Sequence, residues 1–414
     1  MISFKKFELA NGLRFIVNTD THTPFVVVNT LYNVGSKHEA PEKTGFAHLF
    51  EHLMFGGSKN IPSFDEPLQK VGGDNNAFTN SDITNYYITV PKENVETAFW
   101  LESDRMLELD FSQKSLDIQK NVVVEEFKQR YLNKPYGDAW LYLRPLAYKS
   151  HPYQWATIGK KIEHIQDATL QDVKDFFFHH YAPNNAIISI SGNISLKKAK
   201  RLAEKWFGSI PHRNISTIER NREEEQTEKR SQTLEQDVPL HAIYKAYHMC
   251  ERLHPDFHAI DLLSDILSNG KSSRLYNSLV QKQKLFSDLQ AFITGEDDPG
   301  LFIVTGTVMP GFTIEQANKA IEIELQSIQK TPICEYELQK VKNKVESTLI
   351  FSESSILNKA MNLAKYELLG DAGLINHETE KYAHVTIEDI QRVAQFVFSE
   401  TNESTLLYQS TSQA

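Results

Sequence analysis

Two segments far apart in the chain carry the same helix-start signature. Thr169-Leu-Gln-Asp172-Val173 and Thr386-Ile-Glu-Asp389-Ile390 each put a threonine three residues before an aspartate, ahead of an apolar run. The hydroxyl can accept from the third amide of a helix while the carboxylate reaches back to the cap. Each signature precedes a β-branched stretch, Ala186-Ile-Ile-Ser-Ile and Ser404-Thr-Leu-Leu-Tyr. A repeated element order of this kind constrains the chain to two similar halves. Between them, residues 213–237 are polar and include the charge run Glu219-Arg-Asn-Arg-Glu-Glu-Glu-Gln-Thr-Glu-Lys-Arg230, the composition of a solvated linker. The expected division is therefore 1–212, a linker over 213–237, and 238–414. Alternating strands such as Ile83-Thr-Asn-Tyr-Tyr-Ile-Thr-Val90, interleaved with amphipathic helices, predict an α+β class for each half. Asn11-Gly12 predicts a two-residue hairpin turn near the N-terminus.

The chain's 414 residues are ample for more than one core. A net charge of −10 argues against binding a phosphate backbone, so no nucleic-acid partner is expected. No apolar run reaches the roughly 18 residues that a membrane-spanning helix needs. The first residues lack an apolar core of signal-peptide length and enter a strand pattern at once. Two lone cysteines, Cys250 and Cys334, fit a reducing compartment, and the expected location is the cytoplasm.

The segment Gly45-Phe-Ala-His48-Leu-Phe-Glu51-His52-Leu-Met-Phe-Gly-Gly57 carries the chemistry. On a helix, His48, Glu51 and His52 occupy positions i, i+3 and i+4 and share one face. Two imidazoles on adjacent turns can grip one divalent ion, and the neighbouring carboxylate can take a proton from water. This is the His-x-x-Glu-His order of inverzincin peptidases. Phe46, Leu49, Phe50, Leu53, Met54 and Phe55 make the segment apolar almost all round, as in a buried helix. Polar groups there cost a few kcal/mol each unless partnered. The competing reading is a pair of core histidines bonded to backbone. Without a CxxC, a structural cysteine site is disfavoured.

A third ligand is expected from Ile118-Gln-Lys-Asn-Val-Val-Val-Glu125-Glu126-Phe-Lys-Gln-Arg130. Glu125 is flanked at helical spacing by Asn121, Lys128 and Gln129, a solvated pattern. Glu126 shares its face with Val122 and Val123, a stripe predicted to face the core. Glu126 is the predicted ligand and Glu125 a surface or supporting residue.

With these residues in place, the chain resembles the pitrilysin and mitochondrial processing peptidase family of zinc metallopeptidases. Gly72-Gly-Asp-Asn-Asn76-Ala77-Phe78-Thr79 is similar to that family's Gly-Gly-x-x-Asn-Ala-x-Thr segment. His151-Pro-Tyr, Thr157-Ile-Gly159, Tyr181-Ala-Pro-Asn184-Asn-Ala and Gly270-Lys-Ser-Ser-Arg274-Leu-Tyr276 are also family-like. The resemblance implies two similar tandem domains, each a mostly antiparallel sheet with helices packed on one face. It implies zinc on His48, His52 and Glu126, Glu51 as general base, and hydrolysis of extended or unfolded peptides. Asn76, Ala77, Phe78 and Thr79 would lie on an edge strand to which a peptide adds by main-chain bonding. An ordinary strand start after a Gly-Gly turn is the plainer reading of those four residues.

Two departures stand out. Many relatives carry a supporting glutamate seven residues before the ligand glutamate, where this chain has Gln119. Active relatives, or one member of an active pair, carry an Arg and a Tyr that hold the substrate carbonyl; Val280 and Ser287 occupy those positions here. Losing one oxyanion donor costs roughly a hundred- to a thousandfold in rate. A homodimer repeats the defect, so the expected partner is a homologous subunit bearing the Arg/Tyr pair. The alternatives are a non-catalytic scaffold subunit, or a small-molecule hydrolase or cofactor-maturation enzyme using the same zinc chemistry on a modified peptide.

Overall fold

The computed structural model describes residues 1–215 and 221–413, so residues 216–220 of the expected linker lie outside the described residues. The strands are β1 (Lys5–Glu8), β2 (Arg14–Thr19), β3 (Phe25–Tyr32), β4 (Asp74–Thr79), β5 (Thr84–Pro91), β6 (Ala186–Gly192), β7 (Arg230–Gln236), β8 (Ala242–His248), β9 (Phe286–Ile293), β10 (Leu301–Val308) and β11 (Glu403–Ser410). The helices are α1 (Phe46–Leu53), α2 (Asp65–Lys70), α3 (Val95–Leu107), α4 (Gln113–Phe127), α5 (Ala139–Ala147), α6 (Ile162–Gln166), α7 (Leu170–His180), α8 (Leu196–Phe207), α9 (Phe257–Ser268), α10 (Ile314–Lys330), α11 (Glu335–Ser352), α12 (Ile356–Leu368), α13 (Glu378–His384) and α14 (Ile387–Val397). They form two compact units. The first comprises Met1–Phe127, Trp155–Arg220 and Ile350–His377; the second comprises Lys128–Gln154, Asn221–Leu349 and Glu378–Ala414.

In the first unit the sheet order is β1-β2-β6-β3-β5-β4; in the second it is β7-β11-β8-β10-β9. One parallel pair sits in each, β2/β6 and β7/β11, and the other ladders are antiparallel. The second sheet thus repeats the order β2-β6-β3-β5-β4 strand for strand. The paired caps behave alike too. Thr169 Oγ1 accepts from Asp172 N–H at 3.2 Å, and Thr386 Oγ1 from Asp389 N–H at 3.1 Å. Each aspartate carboxylate accepts from the threonine amide in return.

Central strands β3 (FVVVNTLY) and β6 (AIISISG) read as β-branched runs, and both of their faces are covered. Ile16, Leu31 and Ile187 on one face pack against Leu363 and Ala364 of α12. In the second sheet, Ala242, Ala246, Leu301, Ile303, Leu406 and Tyr408 pack against Ala139, Leu143 and Ala147 of α5. Its opposite face joins α9, α10 and α14 in a larger cluster. The α+β class with two sheets of mainly antiparallel strands is as expected. Each sheet also carries a helix on its second face, and that helix comes from the other half of the sequence.

Two local expectations are corrected. The first hairpin has a three-residue loop, not two: Leu9 and Leu13 are bonded at 3.0 Å, Gly12 N–H donates to Leu9 O at 2.9 Å, and Gly12 takes φ +84°. That is a turn closed by a left-handed glycine. Asn11 leaves the turn for the core, donating to the carbonyls of Phe207 and Ile210. Within the stretch 213–237, Arg230–Gln236 form edge strand β7. Among the described residues no helix is long and apolar enough to cross a membrane.

Candidate metal centre

Helix α1 buries Phe46, Ala47, Leu49, Phe50 and Leu53, so its position is set by packing as the apolar pattern requires. Phe50 stacks on Tyr181 with ring centroids 5.1 Å apart, and Tyr86 OH donates to Phe50 O at 3.5 Å. Below it, Arg105 is fully buried between Tyr86 and Phe64, 4.4 and 4.5 Å from their ring centres, and is ion-paired to Glu102. His48 and His52 emerge on the remaining face with ring centroids 4.9 Å apart.

Helix α4 packs against α1 and brings Glu126 to this face. Glu126 Oε2 stands 3.7 Å from His48 Nε2 and 3.4 Å from His52 Nε2. Donor atoms of all three residues lie within 4.8 Å of one another, the one such group of His, Cys, Asp or Glu among the described residues. The first separation is past hydrogen-bonding distance and the second is near its limit. They fit a tetrahedral ion with bonds of about 2.0–2.1 Å, whose ligand atoms sit about 3.4 Å apart. Two imidazoles and a carboxylate are a donor set suited to zinc, and the side chains keep 12 to 24% exposure, leaving access from one side.

Glu125 is exposed, whereas Glu126 is half-buried. The stripe argument for Glu126 holds for Val123, which is fully buried, but not for Val122, which is 44% exposed. The face of α4 that presents Glu126 therefore borders both core and solvent. Gln119 approaches Gly56 just past α1, its Nε2 3.8 Å from the position of a Cβ there.

Glu51 receives a 2.6 Å hydrogen bond from Thr79 Oγ1, at the end of edge strand β4. The resemblance places Thr79 with Asn76, Ala77 and Phe78 as peptide-contacting. The structure directs its hydroxyl at the carboxylate, and nothing in the spacing of two residues on separate elements signals that. Asn76 and Phe78 face solvent, Ala77 is half-buried, and Ala77 N–H donates to Asn76 Oδ1 at 2.8 Å. Were Glu51 the general base that the resemblance implies, Thr79→Val would lower turnover by about tenfold or more, the worth of one hydrogen bond to a charged group, with little change in metal content. Steady-state kinetics beside metal analysis checks this.

In the second unit, Val280 lies in a π-helical turn, Tyr276–Lys282, packed half-buried against the core. Ser287 is exposed on β9 and donates to Thr307 O at 3.3 Å. Arg274 of the Gly270–Tyr276 segment pairs with both oxygens of Glu337, at 2.8 and 2.9 Å, and holds its carboxyl down to about 2. His151 is buried, and its Nδ1 accepts from Tyr153 N–H at 3.1 Å.

Residues 14–139 match the family model described as Insulinase (Peptidase family M16), and residues 167–345 match the one described as Peptidase M16 inactive domain. A Helicobacter pylori protein named zinc protease PqqE is 31% identical over 404 residues, 96% of this chain and 91% of its own length. The chain belongs to peptidase family M16. Another family relative, the Bacillus subtilis uncharacterized zinc protease YmxG, is 26% identical across 96% of both chains. The probable mitochondrial-processing peptidase subunit beta of Schizosaccharomyces pombe is 24% identical over 93% of this chain and 87% of its own. Among solved M16-type structures, a protease from Helicobacter pylori superposes with TM-score 0.93 at 30% identity, covering 99% of this chain and 100% of that one.

Proposed function

We propose that this M16 protein is a zinc-dependent endopeptidase for extended or unfolded peptides, working as the metal-bearing subunit of a heterodimer. The observation that supports it most is the triangle of His48, His52 and Glu126, drawn from two helices, with Glu51 on the same helix as the histidines. Relatives named zinc proteases support the same metal.

In this reading His48 and His52 bind through Nε2 and Glu126 through a carboxylate oxygen. Zinc held by these residues would supply Lewis-acid polarisation of the scissile carbonyl and a more acidic water. Glu51 takes the proton from the attacking water and passes it to the leaving amine. Thr79, donating to Oε2 of Glu51, would orient the carboxylate for this proton transfer. The free edge of β4 presents Asn76, Ala77 and Phe78 to a peptide in extended form, and main-chain pairing there tolerates varied side chains. The Asn76 amide must first give up the Ala77 N–H.

Val280 and Ser287 supply neither the charge nor the phenol that the resemblance assigns to the oxyanion side. A homologous partner bearing Arg and Tyr is proposed to complete the site. The experiment is hydrolysis of a quenched peptide library by this chain alone, by a homologue carrying the Arg/Tyr pair, and by the mixture. Cleavage by the mixture, at least about a hundredfold above either component, is expected. Equal cleavage by this chain alone would remove the heterodimer from the reading. The second reading, a scaffold subunit, draws on the same Val280 and Ser287; a chain that takes up no zinc and adds nothing to the mixture would favour it.

A further inference from the structure

We infer that Glu39 is the positioning residue that holds helix α1, and with it His48 and His52, in metal-binding register. The inference rests on the metal reading above. Helix α1 has eight residues, too few to persist by its own propensity, and Gly45 at its start has no side chain to satisfy the first amides. Glu39 does this from outside the helix. Its Oε2 accepts from Gly45 N–H at 2.9 Å and its Oε1 from Ala47 N–H at 2.8 Å. Both oxygens are thus committed to the turn that leads into His48.

The arrangement costs hydration. Glu39 is 6% exposed, and burial pushes its pKa up to about 8 against the pull of the amides it caps and of Trp155. The amides of the helix start and Trp155 are what favour the ionised form there, through charge-assisted bonds. The other side of the helix start is closed as well. A Cβ on Gly45 would lie 2.6 Å from Ile158 O and 2.8 Å from Ile165 Cδ1. His164 Nδ1 accepts from Thr44 N–H at 3.1 Å. A few residues on, Ala168 O accepts from Lys120 Nζ of α4 at 2.9 Å. The start of α1 is therefore wedged between Glu39 and a segment, 158–168, that also grips α4. Glu39 thereby anchors the start of α1 at the separation where the imidazoles stand beside Glu126, and a drift of about 1 Å is enough to spoil such a site.

The test is zinc affinity of the full chain by chelator competition above pH 8, where the Glu39 carboxyl is ionised, measured for wild type, Glu39→Gln and Glu39→Asp, with thermal melting of the metal-free forms. Glutamine keeps the volume but offers one oxygen to two amides; aspartate keeps the charge on a shorter arm. Ser195→Ala serves as control, because it removes the N-cap of α8 in the same unit without touching α1. The expected result is a loss of about 10- to 100-fold in zinc affinity for Glu39→Gln, the usual worth of an outer-shell partner. Glu39→Asp should fall between it and wild type, and Ser195→Ala should lower only the melting temperature. Zinc affinity indifferent to residue 39, or reduced no more than by the Ser195 control at equal loss of stability, overturns the inference. A wild-type chain that binds no zinc overturns the metal reading itself.

Discussion

Glu51→Gln is expected to leave zinc content unchanged and to lower peptide cleavage by the assembled pair about 10²- to 10⁴-fold. The range is that of a positioned general base. The substitution is isosteric, and the Thr79 hydroxyl can still donate to the amide oxygen, so α1 and the β4 edge keep their places. His48, His52 and Glu126 are untouched and should still hold the metal. Only the proton acceptor is lost. Single-turnover cleavage of a quenched peptide, with metal analysis of the same sample, reads both quantities. Cleavage within a few-fold of wild type would take Glu51 out of the mechanism.

The second large effect is on the metal. His48→Ala removes one of three donors that stand within 4.8 Å of one another. Since outer-shell partners alone are worth 10- to 100-fold, a lost ligand should weaken zinc binding by more than about 100-fold. Glu126→Ala should behave alike, whereas the exposed neighbour Glu125 should tolerate alanine with zinc affinity near wild type. The comparison of Glu125 with Glu126 is the sharper one, because adjacent carboxylates on one helix are separated here by orientation alone. Equal zinc affinity of the two alanine variants would refute the choice between them. Folding should survive in each case, since the side chains of the triangle retain solvent contact and are not part of the apolar core.

The positions of the two histidines and Glu51 were readable because a helix turns 100° per residue, so spacing converts directly into direction. That Glu126 and not Glu125 stands beside the histidines was readable for a similar reason, from Lys128 and Gln129 beside Glu125, although Val122 points to solvent and weakens half of that argument. The duplicated plan was readable from two threonine caps and the strands that follow them, since capping is local chemistry. What the sequence did not disclose are relations across long separations. Helices α5 and α12 are apolar in the ordinary way, and periodicity does not say which sheet they cover. The Thr79–Glu51 bond joins a strand end to a helix 28 residues away, and the Glu39 cap, though only six to eight residues from the amides it bonds, depends on how the loop between them folds. Both involve residue types that are abundant on surfaces, so only the packed chain reveals them.

The most direct measurement is crystallographic: data collected on either side of the zinc absorption edge from the full chain grown with one equivalent of zinc. One anomalous peak is expected, about 2.0–2.2 Å from His48 Nε2, His52 Nε2 and a Glu126 carboxylate oxygen. A peak elsewhere, or none beside these three side chains at full zinc loading, would contradict the metal centre and the hydrolysis built on it.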